Sequence, residues 1–174
     1  MAHDRRTQSP LGASGLGPTA ASWNKLRAAI ADCDAQGVGL LEIHRAYLAL
    51  GYAGVGEFES SLALAGEVLA NIEARNLLVF LSEAHRVRGE ILAKRDPANP
   101  TPAEEELQAA IAIAKRQATR SFQLRAALTL AKLYQSTGRA NDAYDVLTPA
   151  LEAFSPTPEM PEIAEAHALM ECLP

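Results

Sequence analysis

The sequence predicts an all-α protein, an α-α superhelix of stacked helical hairpins closed by a C-terminal capping helix. Three observations carry this. Of the 174 residues 48% are hydrophobic, yet only 5% are aromatic. The apolar content is mostly alanine and leucine, which lose little freedom in a helix, whereas β-branched residues are sparse. Finally, a pattern of small and aromatic residues recurs along the chain, and one repeating unit is the signature of a repeat architecture.

Three segments share the same marks. The first runs Ala49, Tyr52, Gly56, Ser61, Val68; the second Gly89, Leu92, Asp96, Ala103, Ala110; the third Ala131, Tyr134, Gly138, Ala143, Ala150. In each, the first three marks are 3 and 4 residues apart and the last two are 7 apart. Only the step from Asp96 to Ala103 differs, 7 residues against 5, and it holds Pro97, Pro100 and Pro102, as an inserted loop would. Successive units start 40 and 42 residues apart.

Steps of 3, 4 and 7 keep residues on one helix face, so each unit reads as a helical hairpin. A small residue on the first helix (Ala49, Gly89, Ala131) facing one on the second (Ser61, Ala103, Ala143) brings two backbones close without a void. Gly56 and Gly138 end first helices by taking positive φ. Tyr52, Leu92 and Tyr134 then fill the wedge toward a neighbouring hairpin. A lone hairpin leaves an apolar side bare, so the units must stack.

The elements follow in order. Residues 1–18 are rich in Gly, Ser and Pro and read as a disordered leader or linker, leaving 19–174 as the repeat domain. A half-repeat spans 19–35, because Ala21 and Ala28 repeat the 7-residue step 40 residues before Ser61 and Val68. Hairpins follow at 40–74, 77–117 and 120–154, divided into helices 40–54/57–74, 77–95/101–117 and 120–137/139–154. Thr101-Pro102-Ala103-Glu104 has the form of a capping box with proline at the helix start. Asp142 sits in a first turn, where the helix dipole favours its charge. The "SPTPEMP" stretch stops one helix and a cap at 160–172 begins after it. There Ile163, Ala166, Leu169 and Met170 pack, and Glu162, Glu165 and Glu171 stay wet.

These marks resemble the tetratricopeptide repeat, a helix-turn-helix unit of about 34 residues, in a longer-helix form. More narrowly, "EAHRVRGEIL" at 83–92, "RSFQLRAALTLAKLYQSTGRANDAYDVLTPALEAF" at 120–154 and the "PEIAEAHALMECL" after it resemble the C-terminal repeats of large bacterial regulators. Those join an adenylate/guanylate cyclase-type or transcription-factor domain to a signalling ATPase module and then to such repeats. The resemblance covers residues from about 20 onward and implies a non-catalytic protein-protein interaction module, cytoplasmic and part of a signalling assembly. Neither a G-x-x-x-x-G-K-[ST] phosphate loop nor a cyclase carboxylate motif is present, so the engine of such proteins is not in this sequence.

The chemistry-bearing residues point the same way. A net charge of −5 gives no concentrated basic face for nucleic acid. No run of about 18 apolar residues spans a membrane. The stretch "TQSPLGASGLGPTAAS" after Arg5 and Arg6 lacks the apolar core of a secretion signal, which fits a cytoplasmic chain. Cys33 and Cys172 match no metal or redox spacing and read as buried or idle thiols. His3 lies in the leader, and His44, His85 and His167 stand on separate helices without ligand partners nearby, so no metal or cofactor is expected. Glu104, Glu105 and Glu106 open a helix and complement its dipole; they do not form an acid/base pair. No catalytic constellation emerges.

What remains is the concave face. First helices line the inside of stacked hairpins, which nominates Glu83, Arg86 and Glu90 in the middle unit and Arg125, Leu128, Lys132 and Gln135 in the last as a mixed-charge groove for a protein or peptide. The alternative function is a small-ligand or peptide sensor that controls oligomerisation. The half-repeat also exposes an apolar edge near Leu26, Ile30 and Leu40-Leu41, which predicts self-association.

Overall fold

The computed structural model describes residues 20–35, 42–152, 154 and 160–173. Among them are eight α-helices and no strand: α1 (Ala20–Ala35), α2 (Glu42–Gly54), α3 (Phe58–Ala74), α4 (Leu81–Arg95), α5 (Thr101–Arg116), α6 (Arg120–Ser136), α7 (Ala140–Leu151) and α8 (Pro161–Glu171). A single 3₁₀ turn, Leu78–Phe80, leads into α4. The chain is all-α. The leader at 1–18 and the Leu40-Leu41 part of the apolar edge lie outside the described residues.

The helices pair as hairpins α2/α3, α4/α5 and α6/α7. First helices also touch in a row, α2 to α4, α4 to α6 and α6 to α8, while α3 and α5 each pack against the next first helix. The helix at 160–172, expected as a cap, thus takes the place of a further first helix.

Close backbone approach inside the hairpins is visible at two of the three small-residue pairs. Ser61 Oγ donates to the Ala49 carbonyl oxygen at 2.6 Å. A Cβ on Gly89 would stand 2.7 Å from Leu107 Cγ and 3.1 Å from the Ala103 carbonyl oxygen. In the third pair Ala131 and Ala143 are both fully buried in one apolar cluster. Around these seams two cores form. One gathers Val68, Ile72, Val87 and Ile91 between α2, α3 and α4, and the larger one gathers Leu107, Leu124, Leu130, Leu147 and Ile163 from α5 to α8. Each buried aliphatic side chain of this kind stabilises by about 1.5–3 kcal/mol.

The turns obey one rule more often than the glycines alone suggest. Gly56 and Gly138 hold φ of 83° and 75°, and Glu57 and Arg139 then donate their N–H groups to the carbonyls of Tyr52 and Tyr134 five residues back. That is the Schellman ending. The turns after α3 and α5 do the same without glycine, with Asn76 at φ 56° and Ala118 at φ 54°, followed by Leu77 to Ile72 and Thr119 to Ala114. Asp96, the mark in the proline-rich unit, has φ −139°, not a positive value, and starts a loop.

Four local expectations need correction. The capping box at Thr101 does not form: the residue before the helix is Pro100, Thr101 is already helical, and no side chain caps the end. Glu104 is drawn away because its carboxylate accepts from the Tyr134 hydroxyl at 2.9 Å and from Arg139 at 2.8 Å. Helix α7 ends at Leu151, short of residue 154; Pro149 in its last turn has no N–H to donate to the Asp145 carbonyl, while Glu152 beyond it still donates to the Thr148 carbonyl at 3.2 Å. In α1 the marks Ala21 and Ala28 are exposed. Trp23 instead stacks over Gly51, where an added Cβ would meet the indole at 2.6 Å, so a bulky ring against a glycine replaces the small-on-small seam. Finally, of the two alternatives given for the thiols the buried one falls: Cys33 is half-buried and Cys172 exposed, and both are free.

Candidate functional site

The row of first helices forms one wall of an open cleft of about 320 Å³ between α2, α4, α6 and α8. Six of the seven nominated residues line it: Glu83, Arg86, Glu90, Arg125, Leu128 and Lys132. Gln135 does not; it is exposed near the end of α6. Tyr47, Thr129, Glu162 and Glu165 complete the lining and were not foreseen. Tyr47 carries no mark of the repeat. Glu162 and Glu165 stand on the side of α8 expected to stay wet, and their roles follow only once α8 is known to sit beside α6.

The side chains are held by a ladder of charge-assisted bonds running along and across helices. Tyr47 on α2 donates its hydroxyl to Glu83 Oε1 on α4 at 2.7 Å, and Arg86 Nη2 donates to the same oxygen at 2.8 Å. Arg86 Nη1 reaches Glu90 at 2.8 Å, and Lys94 reaches Glu90 from the next turn at 2.7 Å. On the other side Arg125 Nε donates to Glu162 at 2.7 Å and Lys132 to Glu165 at 2.7 Å, each joining α6 to α8. Spacings of three and four residues put Glu83, Arg86 and Glu90 on one stripe of α4.

Burial divides the ladder in two. Glu83 and Arg86 are 1% and 7% exposed, and burial of an ion pair is tolerated only with good geometry and further hydrogen bonds. Even so, Glu83 Oε2 and Arg86 Nε have no partner. The outer pair Lys132 and Glu165 is about half exposed and contributes little to stability. The electrostatics agree with this division. Burial opposes the Arg86 charge, but the bonds to Glu83 and Glu90 outweigh it and hold the guanidinium pKa above its ordinary value. Burial likewise works against ionised Glu90, and the bonds from Lys94 and Arg86 outweigh it to lower its pKa. Glu162 is lowered first by a backbone N–H at the start of α8, against partial burial, and then by Arg125. The Tyr47 hydroxyl is pushed up by burial and by the carboxylate of Glu83.

Four carboxylates thus face three cations along the lining, with Leu128 supplying an apolar floor. Such a surface can hold a charged chain by exchange of outer ion pairs. His85 is engaged elsewhere: its Nδ1 lies 2.7 Å from Glu106 Oε2 on α5, where Arg88 also binds at 2.9 Å. Among the described residues no group of three or more His, Cys, Asp or Glu could hold a metal ion, and no helix is long and apolar enough to cross a membrane.

Comparison with known proteins yields no family model, no curated protein and no solved structure that matches the chain. The class defined by the fold and cleft is therefore stated in structural terms: an all-α stack of helical hairpins whose first helices share a mixed-charge cleft.

Proposed function

We propose that the chain is a non-catalytic interaction module of tetratricopeptide type, acting in the cytoplasm as the C-terminal part of a bacterial signalling protein of the cyclase- or regulator-associated kind. The observation that carries the docking role is the cleft between α2, α4, α6 and α8, in which Arg125 and Lys132 are each held by a carboxylate of α8 that a partner's carboxylate could replace. The signalling assignment rests on the resemblance of residues 83–92 and 120–173 to such repeat regions.

The occupant is a protein segment of mixed charge. Its carboxylates meet Arg125 and Lys132, its cations meet Glu90 and the Glu162 and Glu165 carboxylates so released, and an apolar side chain lies on Leu128. Affinity comes from charge pairing on a preset wall, so it weakens with salt.

The test uses the folded chain and an Arg125→Glu/Lys132→Glu variant as parallel baits in the source cell's extract. A partner retained by the parent and lost by the variant, at equal melting temperature, supports the reading. Capture of the same proteins by both excludes the cleft as the docking surface. Incubation with ATP and divalent metal is expected to give no cyclic nucleotide, and turnover there would refute the non-catalytic part.

A further inference from the structure

The repeat offers an internal comparison. Two grooves occupy equivalent places in the stack, one of about 310 Å³ over α1 and α3 and one of about 500 Å³ over α5 and α7. Their walls correspond residue by residue at a separation of 82: Leu48 with Leu130, Tyr52 with Tyr134, Leu64 with Val146. In the α5/α7 groove the Tyr134 hydroxyl donates to the carboxylate of Glu104 at 2.9 Å. In the α1/α3 groove Tyr52 is only 5% exposed, and its hydroxyl has no partner. A buried hydroxyl without a partner costs free energy, and native structures rarely leave one so.

The two grooves also differ in charge. Where α5 brings Glu104 to its tyrosine, α1 brings Trp23 to pack against Tyr52 and Leu48. Cations line the smaller groove instead: Arg27 on α1 and Arg45 on α2, against the single carboxylate of Glu67, which bonds Arg45 at 3.0 Å. The rest of the wall, Ala31, Leu48, Ala63 and Leu64, is apolar apart from Ser60.

We infer that the α1/α3 groove is a binding site for a small monocarboxylate with an apolar body, whose carboxylate accepts from the Tyr52 hydroxyl as Glu104 does from Tyr134. The volume lies at the small end of ligand pockets, about 300–1,000 Å³, which suits a short aliphatic or aromatic acid and not a folded partner. Arg27 faces the carboxylate from the rim, and the hydrocarbon lies on Leu48 and Leu64. Because the hydroxyl is shut from solvent beneath α1, entry shifts Trp23. This site is independent of the cleft on the first helices.

Trp23 is the only tryptophan in the chain, so its emission reports on the site directly. Hexanoate is expected to change that emission saturably, and hexanol of the same chain length to bind about tenfold or more weakly, as loss of a charge-assisted hydrogen bond implies. Tyr52→Phe is expected to weaken hexanoate by a similar factor without lowering the melting temperature of the ligand-free protein. Tyr134→Phe leaves hexanoate binding unchanged. Arg27→Glu, at an exposed position, provides a second variant that weakens hexanoate while leaving hexanol alone. No saturable response in the parent, equal affinity in Tyr52→Phe and Arg27→Glu, or equal affinity for hexanol overturns the proposal. A lowered melting temperature in ligand-free Tyr52→Phe also overturns it, because the hydroxyl would then have a partner within the protein.

Discussion

The hydroxyl of Ser61 on α3 donates to the carbonyl oxygen of Ala49 on α2 at 2.6 Å, deep in the first hairpin where both residues are fully buried. This one bond explains why a serine stands where the other units have alanine. It also measures how close two helix backbones come when the residues between them are small.

Truncation at this seam has a modest cost, and enlargement a greater one. Ser61→Ala removes a buried hydrogen bond without making a large void, so about 1 kcal/mol of stability is lost. Gly89→Ala has the opposite chemistry. Alanine favours a helix over glycine by about 1 kcal/mol, yet its methyl group would press on Leu107 and on the Ala103 carbonyl. Overpacking of that kind costs about 1–3 kcal/mol, and the net effect is destabilising. A Gly89→Ala protein with a higher denaturation midpoint than the parent would separate α4 from α5 by more than the structure allows.

The turn after α5 places Ala118 at φ 54°, a left-handed conformation that suits glycine. Left-handed backbone costs an ordinary residue about 1–2 kcal/mol, and part of this returns as glycine's greater freedom in the unfolded chain. Ala118→Gly is therefore expected to raise stability by up to about 1 kcal/mol, and Gly138→Ala, at φ 75°, to lower it by a similar amount. Thermal melts of the two variants would move in opposite directions. A fall in both would mean that residue 118 is not left-handed.

Charge burial beneath the cleft gives a sharper case. Arg86 is bonded to Glu83 and Glu90, and Glu83 is otherwise held only by Tyr47. Arg86→Met leaves the Glu83 carboxylate buried and nearly uncompensated, at a cost of about 3–5 kcal/mol. Adding Glu83→Met removes the orphaned charge, so the double variant is expected to recover most of that loss. Urea titrations of the four proteins close the cycle. If the two single effects add, the pair is not coupled.

The sequence was most legible where geometry follows from spacing. Ala49, Gly89 and Ala131 announced the seams because only small residues let two helices touch, and the first-helix stripe Glu83, Arg86, Glu90 was readable from steps of three and four. What escaped depended on neighbours distant in sequence. Ala118 ends a helix as glycine would, but its type gives no sign of positive φ; Asn76 does the same, and asparagine's tolerance of that conformation was a faint signal without a repeat mark to point to it. Glu104 looked like half of a capping box, yet Tyr134 and Arg139, 30 and 35 residues away, take its carboxylate. Trp23 against Gly51 broke the half-repeat pattern, since a pair that fits by one partner being large and the other absent leaves no periodic trace.

The pH dependence of stability follows from the same ion pairs. Glu90, Glu106 and Glu162 all have pKa values below the ordinary 4.5 when folded. For Glu106, burial opposes ionisation but is outweighed by the bond from His85 and the charge of Arg88. A carboxyl that is more acidic in the folded state binds fewer protons there than in the unfolded chain, so stability is full above 4.5 and is lost as the pH falls through the folded values. The tyrosines act at the other end. Burial raises Tyr47 and Tyr134 above 10.0, so their contribution is complete below that pH and declines as pH rises beyond it. Denaturant midpoints measured from about pH 3 to pH 7 are expected to climb and then level, and Glu106→Gln is expected to flatten the climb. A midpoint that rises on acidification below 4.5 would contradict the paired state of these carboxylates.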